Sequence, residues 1–468
     1  MKTPNPQSSP VRCDSHNELA STHERTITGW GRTTPTRAHL DRPTSAHQIQ
    51  DLISTSRGPV TVRGAGRSYG DAAIGHHTID LTGYATIRSF DPGTGVLVSD
   101  AGATLQALHQ VSIPEGWALP VLPGTSHITV GGAIASDVHG KNHPHQGSFG
   151  DHVLQLELML ASGDILRLSP DAHPEDFWAT VGGMGLTGVI VSATLQLQRV
   201  ETSYLRVVRR KARSLEESMD IITASAQTPS HAVAWIDAAH HQLRGLVDVS
   251  TPATSEMLPA GRKGEQLAPH GTTMRTIHSF PGPGIVNHRS VAAANAMRWN
   301  LPVSASAKMV HFTTALNPLD GADFWPAAFG KQGLIQYQFS VPTSGTKTLR
   351  HILENLQRAG EVPALAVLKP FGASGKGLLS FPQPGWTLAL DFPARSPGLA
   401  TVLSHLDTVV ANAGGRVYLS KDSRLSARML PLMYPQLLRW QEARSRLDPT
   451  QKMGSLLSQR LNLLELPS

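Results

Sequence analysis

The sequence is poor in cysteine, in charge and in long apolar runs. Its single cysteine, Cys13, lies in a polar N-terminal stretch, which excludes disulfides, cysteine-built zinc sites and a cysteine-linked cofactor near the middle of the chain. Charged residues make up only 16% and hydrophobic residues 40%, a balance that argues against a disordered protein and suffices for real cores. Apolar stretches such as 153–160 are broken by Glu157 and fall far short of the ~20 residues that cross a bilayer. No Lys/Arg block stands out, so no nucleic-acid patch is expected. The formal excess of +6 is spread along the chain and suits mild attraction to anionic ligands or lipid head groups. Residues 1–25 read as a disordered polar tail with neither an apolar signal region nor a twin-arginine pair, so the chain reads as cytoplasmic with at most peripheral membrane contact.

At 468 residues the length favours two or three domains. Residues 26–199 read as one glycine-punctuated α+β unit. Helical spacing at His47 to Ser56 is followed by a strand at Val60 to Arg63 and strand-like runs at 78–81, 87–90 and 96–99. The last two are joined by a turn at Asp91-Pro-Gly-Thr-Gly95. Thr104 caps a helix to Val111, Ser162-Gly-Asp164 marks a second hairpin, and a short helix at 176–181 precedes a long strand at 189–197. Residues 200–413 mix alternating runs (232–236, 334–341, 364–368, 387–392) with amphipathic helices (215–226, 347–358, 399–412). That pattern predicts an antiparallel sheet covered on one face by helices. Within it, 246–310 reads as long loops, and a helical end is expected over 430–464.

The stretch Val121 to Asn142 carries the densest chemistry. It offers two small-residue turns, Gly124-Thr125 and Gly131-Gly132, followed by His139, Lys141 and Asn142. Glycine lets backbone N–H groups approach a phosphate closely. Arg63-Gly-Ala-Gly-Arg-Ser-Tyr-Gly-Asp71 follows a strand and places two arginines among glycines, which suits a pyrophosphate; a plain tight turn with solvated arginines is the alternative. Gly183-Met-Gly-Leu-Thr-Gly188 matches a dinucleotide fingerprint in the wrong context, because a helix precedes it and a strand follows. His139, His143 and His145 are not expected to hold a metal, since Gly140 and Pro144 interrupt helical spacing and no carboxylate sits at ligand spacing. Alternation puts Gln336 and Gln338 on one strand face, either functional or merely solvated. Lys369 and Lys421, taken alone, read as surface charge.

Together these segments resemble the vanillyl-alcohol-oxidase-type flavoproteins, and within them the decaprenylphosphoryl-β-D-ribose oxidase family. The resemblance is carried by Thr28-Gly-Trp-Gly-Arg32, Arg63 to Asp71, Val121 to Thr125, Thr129 to Ala133 and His139 to His143. Gly147 to Gly150, Phe177 to Gly183, Gln336 to Phe339, Pro384 to Trp386, Asp391 to Pro393 and Lys421 to Arg424 extend it toward the C-terminus. It implies an α+β fold in which a PCMH-type FAD-binding domain (26–199 and 414–468) is split by a substrate-binding domain (200–413). FAD is expected against Val62, Arg63, Gly64, Ala65, Gly66, Arg67, Ser68, Tyr69, Gly70, Asp71 and Ala72. It is further expected against Gly124, Thr125, Thr129, Val130, Gly131, Gly132, Ser136, His139, Gly140, Lys141 and Asn142. Ile190 is expected at the adenine half and Tyr418 at the flavin half. Arg67 stands where covalent members carry histidine, so non-covalent FAD is expected.

The resemblance places the substrate among Tyr69, Trp235, Gln336, Gln338, Lys369, Thr387 and Lys421. Ala389, Thr387 and Leu316 depart from the residues that several members carry. The implied activity is FAD-dependent oxidation of decaprenylphosphoryl-β-D-ribose at the 2′-hydroxyl. Lys421 would stabilise developing alkoxide, and His139 or a bound water would take the proton, imidazole being the side chain that titrates nearest neutral pH. A separate NAD(P)H-dependent keto-reductase would complete an epimerisation toward cell-wall arabinan, and relatives work at the cell envelope. The alternatives are an alditol or aldonolactone oxidase that uses O2, and a non-catalytic flavin-binding protein.

Overall fold

The computed structural model describes residues 23–465 apart from 229, 270–283, 305 and 323; the N-terminal residues that include Cys13 lie outside the described part. Three main sheets organise the chain. The first has four strands in the order His23–Ile27, Thr36–Asp41, His77–Asp80, Val60–Arg63, with parallel pairing among the last three. The second is antiparallel, in the order Ile87–Asp91, Val96–Asp100, Val189–Gln196, Val153–Met159, Ile165–Leu168. Its first hairpin closes as the residues dictate: the Asp91 carboxylate accepts from Gly93 N (2.9 Å) and Thr94 Oγ1 (2.6 Å), and Gly95 turns at φ 74°.

The third sheet has eight antiparallel strands. Their order is Lys308–His311, Tyr204–Ala212, Gly245–Pro252, His231–Ile236, Leu365–Phe371, Gly385–Pro393, Leu334–Pro342, Arg416–Val417. Period-two alternation splits its central strands between two environments. Tyr337, Phe339 and Val341, with Ala366, Leu368, Leu388, Leu390 and Phe392, are buried in the same core as Leu215–Ser225, Thr346–Arg358 and Leu399–Asn412, the helices expected to cover this face. The opposite face carries Gln336, Gln338, Lys369, Asp391 and Thr387, with Leu365, Val367 and Ala389 among them.

Three expectations need correcting. Residues 246–310 are not a loop region. They hold the Gly245–Pro252 strand, the His288–Asn300 helix and the Lys308–His311 strand; 270–283 and 305 lie outside the described residues. The helix escaped notice because its apolar residues form no stripe. It is fixed instead by an Asn287/Ser290 capping box, while Asp248 in the strand pairs with Arg209 (2.6 Å). Second, Gly131-Gly132 is not a turn. It lies inside a short helix, Val130–Ala135, whose Thr129 cap accepts from Gly132 N. A side chain on Gly131 would run into Ala101, so the helix packs backbone-close on the second sheet. Third, the C-terminal helical run is broken into Leu430–Met433, Leu437–Leu447 and Leu456–Arg460. Between the last two, Asp448 pairs with buried Arg444 (2.9 Å) and accepts from Met453 N (2.7 Å).

The last strand of the large sheet leads into a turn, residues 418–422, that packs on the Arg63 to Asp71 loop. Tyr69 N donates to Ser420 O (3.1 Å), and a side chain on Gly70 would collide with the Asp422 backbone. Beneath this junction Arg460 forks onto both Asp71 oxygens (2.8 Å each), meets Asp422 (2.9 Å) and donates to Leu425 O. Removing one partner of such a mostly buried cluster strands two carboxylates, so Arg460→Ala is expected to lower unfolding free energy by about 3 kcal/mol. Urea unfolding followed by fluorescence measures this.

Candidate active site

A cavity of about 270 Å³ opens where the three sheets meet. One wall is backbone-rich: Gly64 to Ser68, Gly124, Thr125, Gly131, Gly132 and Gly185. Gly185 sits at φ 75°, and a Cβ there would meet nothing within 4 Å, so the space beside it is what a side chain would fill. The facing wall is the polar side of the large sheet, and its residues stand in register. Gln336 is opposite Asp391 and then Leu365; Gln338 is opposite Ala389 and then Val367; Ser340 is opposite Thr387 and then Lys369. Lys421, carried by the 418–422 turn, enters beside Tyr69, with Nζ 3.9 Å from the ring centroid.

The electrostatics are dominated by three ammonium groups brought close together. Burial draws Lys421 down to about 7, Asp391 opposing and Lys369 assisting. Lys369 falls to about 8 through burial and the charge of Lys141, and Lys141 falls to about 8 mainly through burial. Burial likewise pushes the Asp391 carboxyl up to about 6, although Gln336 and Trp325 donate to it and Lys421 lies near. A narrow, charged, glycine-backed cleft of this kind fits a long cofactor with phosphates at the backbone wall. It leaves an amine that is part neutral at physiological pH near the reacting end.

His139 does not suit the proton-accepting role expected for it. Its ring is buried among Phe371, Phe381 and Tyr418, and burial, with Lys369, His143 and Lys421 nearby, holds it well below the usual imidazole range. Its Nε2 lies 3.1 Å from Gln338 Nε2, so the ring is neutral and accepts that bond.

The structure gathers most of the expected residues around the cavity. Val62, Gly64, Ala65, Gly66, Arg67, Ser68, Tyr69, Ala72, Gly124, Thr125, Thr129, Gly131, Gly132, Ser136, Gly140, Lys141, Ile190 and Tyr418 line it. So do His139, Gln336, Gln338, Lys369 and Lys421. Seven expected residues act elsewhere. Arg63 braces its own loop, donating to Thr28 O (2.8 Å) and Ala73 O (3.1 Å) rather than to a ligand. Gly70 and Asp71 face the 418–422 turn and Arg460. Val130 is buried in a core with Leu97, Leu158 and Val191 of the second sheet, and Asn142 ties down Pro120 O (2.8 Å). Trp235 lies one strand beyond Val367 under Arg298 (4.7 Å), and Thr387 sits beneath Gln338, donating to Phe339 O. Met184, Gly185 and Gly188 were missed as lining residues. Their glycine density was legible, but it was weighed only as a dinucleotide fingerprint.

Residues 38–169 match the family model described as an FAD binding domain. Over its length the chain is 36% identical to the decaprenylphosphoryl-beta-D-ribose oxidase of Mycolicibacterium smegmatis, covering 96% of this chain and 100% of that protein. It is 24% identical to an L-gulono-1,4-lactone dehydrogenase of Mycobacterium tuberculosis across 87% of this chain and 92% of that protein. An alditol oxidase of a Streptomyces species is 22% identical across 91% and 96% respectively. If the backbone wall holds a flavin, Gly185→Val places methyl groups where it would lie and weakens FAD binding by at least about tenfold. The ratio of flavin to protein absorbance in purified variant and unaltered protein, with circular dichroism as the folding control, checks this.

Proposed function

Because the chain belongs to the decaprenylphosphoryl-β-D-ribose oxidase family of FAD-dependent oxidoreductases, we propose that it oxidises decaprenylphosphoryl-β-D-ribose at the 2′-hydroxyl to the 2′-keto sugar. This is the first half of an epimerisation toward decaprenylphosphoryl-arabinose for cell-wall arabinan. The observation that carries the reading is a single cavity with a glycine wall on one side and Lys421, Lys369, Gln336 and Gln338 on another. FAD, when bound, supplies the two-electron acceptor that takes the carbon-bound hydrogen as hydride.

The protein's part is proton transfer, orientation and charge. Lys421 in its neutral form accepts the 2′-hydroxyl proton at Nζ. The resulting ammonium then rests over the Tyr69 ring with Asp391 nearby, which offsets its poor hydration. Gln336 and Gln338 hydrogen-bond the sugar, and Lys369 and Lys141 supply positive charge for its phosphodiester. Gly64 to Ser68, Thr129, Gly131, Gly132 and Gly185 would hold the FAD, their backbone leaving room for its phosphates. FAD is held without a covalent bond, because Arg67 offers no nucleophile to the ring.

We read 26–199 and 414–468 as the FAD-binding domain and 200–413 as the substrate-binding domain. The return of the chain end to the first sheet, where Gly454 N donates to Val60 O (3.0 Å), supports that layout. The keto product then requires a hydride from a separate NAD(P)H-dependent reductase. No helix among the described residues is long and apolar enough to cross a membrane. The alditol and lactone oxidoreductases are markedly less similar, which disfavours a simple polyol substrate.

Lys421→Met keeps the length of the side chain but neither accepts a proton nor carries charge. The variant should retain FAD while kcat/KM for a prenylphosphoryl ribose falls by about 10³-fold or more. Because Lys421 must be neutral to act, kcat/KM of the unaltered enzyme should rise through about pH 7. Because Lys369 and Lys141 must be charged to hold the phosphodiester, it should fall again above about pH 8. Stopped-flow flavin bleaching without oxygen measures both; substantial turnover by the Met variant would sink the role of Lys421.

A further inference from the structure

The two cavity-facing amides have their nitrogen ends engaged by protein groups. Gln336 Nε2 donates to Asp391 Oδ1 (2.6 Å), while Trp325 Nε1 donates to Asp391 Oδ2 (2.7 Å). A carboxylate only accepts and an indole N–H only donates, so the direction of the Gln336 amide is imposed: NH2 to Asp391, carbonyl oxygen away from it. Asp391 is 1% exposed and stands directly across the strand pair from Gln336. Gln338 is fixed in the same sense by different means. Its Nε2 reaches neutral His139 Nε2 and Thr387 Oγ1 (3.3 Å), and Thr387 spends its own proton on Phe339 O (3.0 Å). Gln336 also hydrogen-bonds the Tyr69 hydroxyl in the sense that lowers the phenol, its NH2 donating to the Tyr69 oxygen, so the carbonyl oxygen stays open to a ligand.

The result is a pair of acceptors on one strand face, two residues apart and so about 7 Å along the backbone, converging on the cavity. We propose that Asp391 is a positioning residue that sets Gln336 as an acceptor beside Gln338, and that the pair selects a sugar by accepting from two hydroxyls near the oxidised carbon. The proposal rests on the prenylphosphoryl-ribose reading above. A hydroxyl satisfies such an acceptor. A fluorine in its place does not, because it cannot donate and leaves the buried carbonyl unpaired.

Asp391→Asn reverses the device with almost no change of shape. Trp325 still needs an acceptor and takes the Asn oxygen, so the Asn NH2 faces Gln336. The Gln336 amide must then turn and present its own NH2 to the cavity. The test uses FAD-loaded enzyme, farnesylphosphoryl-β-D-ribose, and its 3-deoxy-3-fluoro and 5-deoxy-5-fluoro analogues, with flavin bleaching as readout.

The unaltered enzyme should prefer the parent sugar over at least one analogue by about 10- to 100-fold in kcat/KM. Asp391→Asn should lose most of that preference, chiefly through a raised KM for the parent. It should add less than about twofold to the effect of Gln336→Ala when the two are combined, because both act through one group. An Asn variant that slows parent and analogues equally with the preference intact, or effects that multiply in the double variant, would overturn the proposal. If Asp391→Asn fails to hold FAD, Gln336→Ala alone decides: it must erase the preference, and persistence overturns the proposal. No bleaching of the unaltered enzyme by the parent sugar would instead refute the substrate reading and the hydroxyl selection with it.

Discussion

The site depends on one close contact, the seating of the 418–422 turn on the Arg63 to Asp71 loop. Two segments about 350 residues apart in sequence meet with Ser68 Oγ 3.3 Å from Ser420 Oγ, and Gly70 has no side chain to hold them apart. Arg460 neutralises Asp71 and Asp422 beneath the junction, without which two buried carboxylates would repel. Everything at the reacting end follows from this seating. Lys421 lies over Tyr69 because both are carried by the joined segments, and Tyr418 Oη reaches Ser136 O (2.7 Å) from the same turn.

The large sheet contributes a second constraint. Its helix-covered face is an ordinary apolar core, so the opposite face is free to concentrate polar groups that would be costly elsewhere. Three lysines and one buried carboxylate share a small volume. Their mutual repulsion and poor hydration appear as depressed lysines and a raised Asp391. Such an arrangement persists only where the surrounding scaffold over-determines it, and here each polar side chain stands in strand register with its neighbour. The same register lets Asp391 dictate what Gln336 offers to a ligand.

His139 shows how far residue type alone can mislead. Imidazole titrates near neutrality in water, which made it the natural choice of base. Enclosed by three aromatic rings and bonded to Gln338, it stays neutral and serves to orient an amide. Arg63 is a parallel case: an arginine among glycines suits a phosphate, yet this one spends its guanidinium on the backbone carbonyls of Thr28 and Ala73.

Local signals in the sequence were sufficient for most elements. The Asp91 to Gly95 turn, the Thr104 cap, the alternation at 334–341 and the three amphipathic helices each act within a few residues of themselves, and each forms where its pattern lies. The glycine loops and the polar strand face were legible too, since composition and period carry them. The His288–Asn300 helix was not, because without an apolar stripe only its cap and tertiary packing hold it. Nor was the division of labour in the site. Which lysine loses its proton, which arginine faces a ligand and which way an amide points depend on burial and on partners hundreds of residues away. Those are properties of the closed structure, which no local pattern encodes.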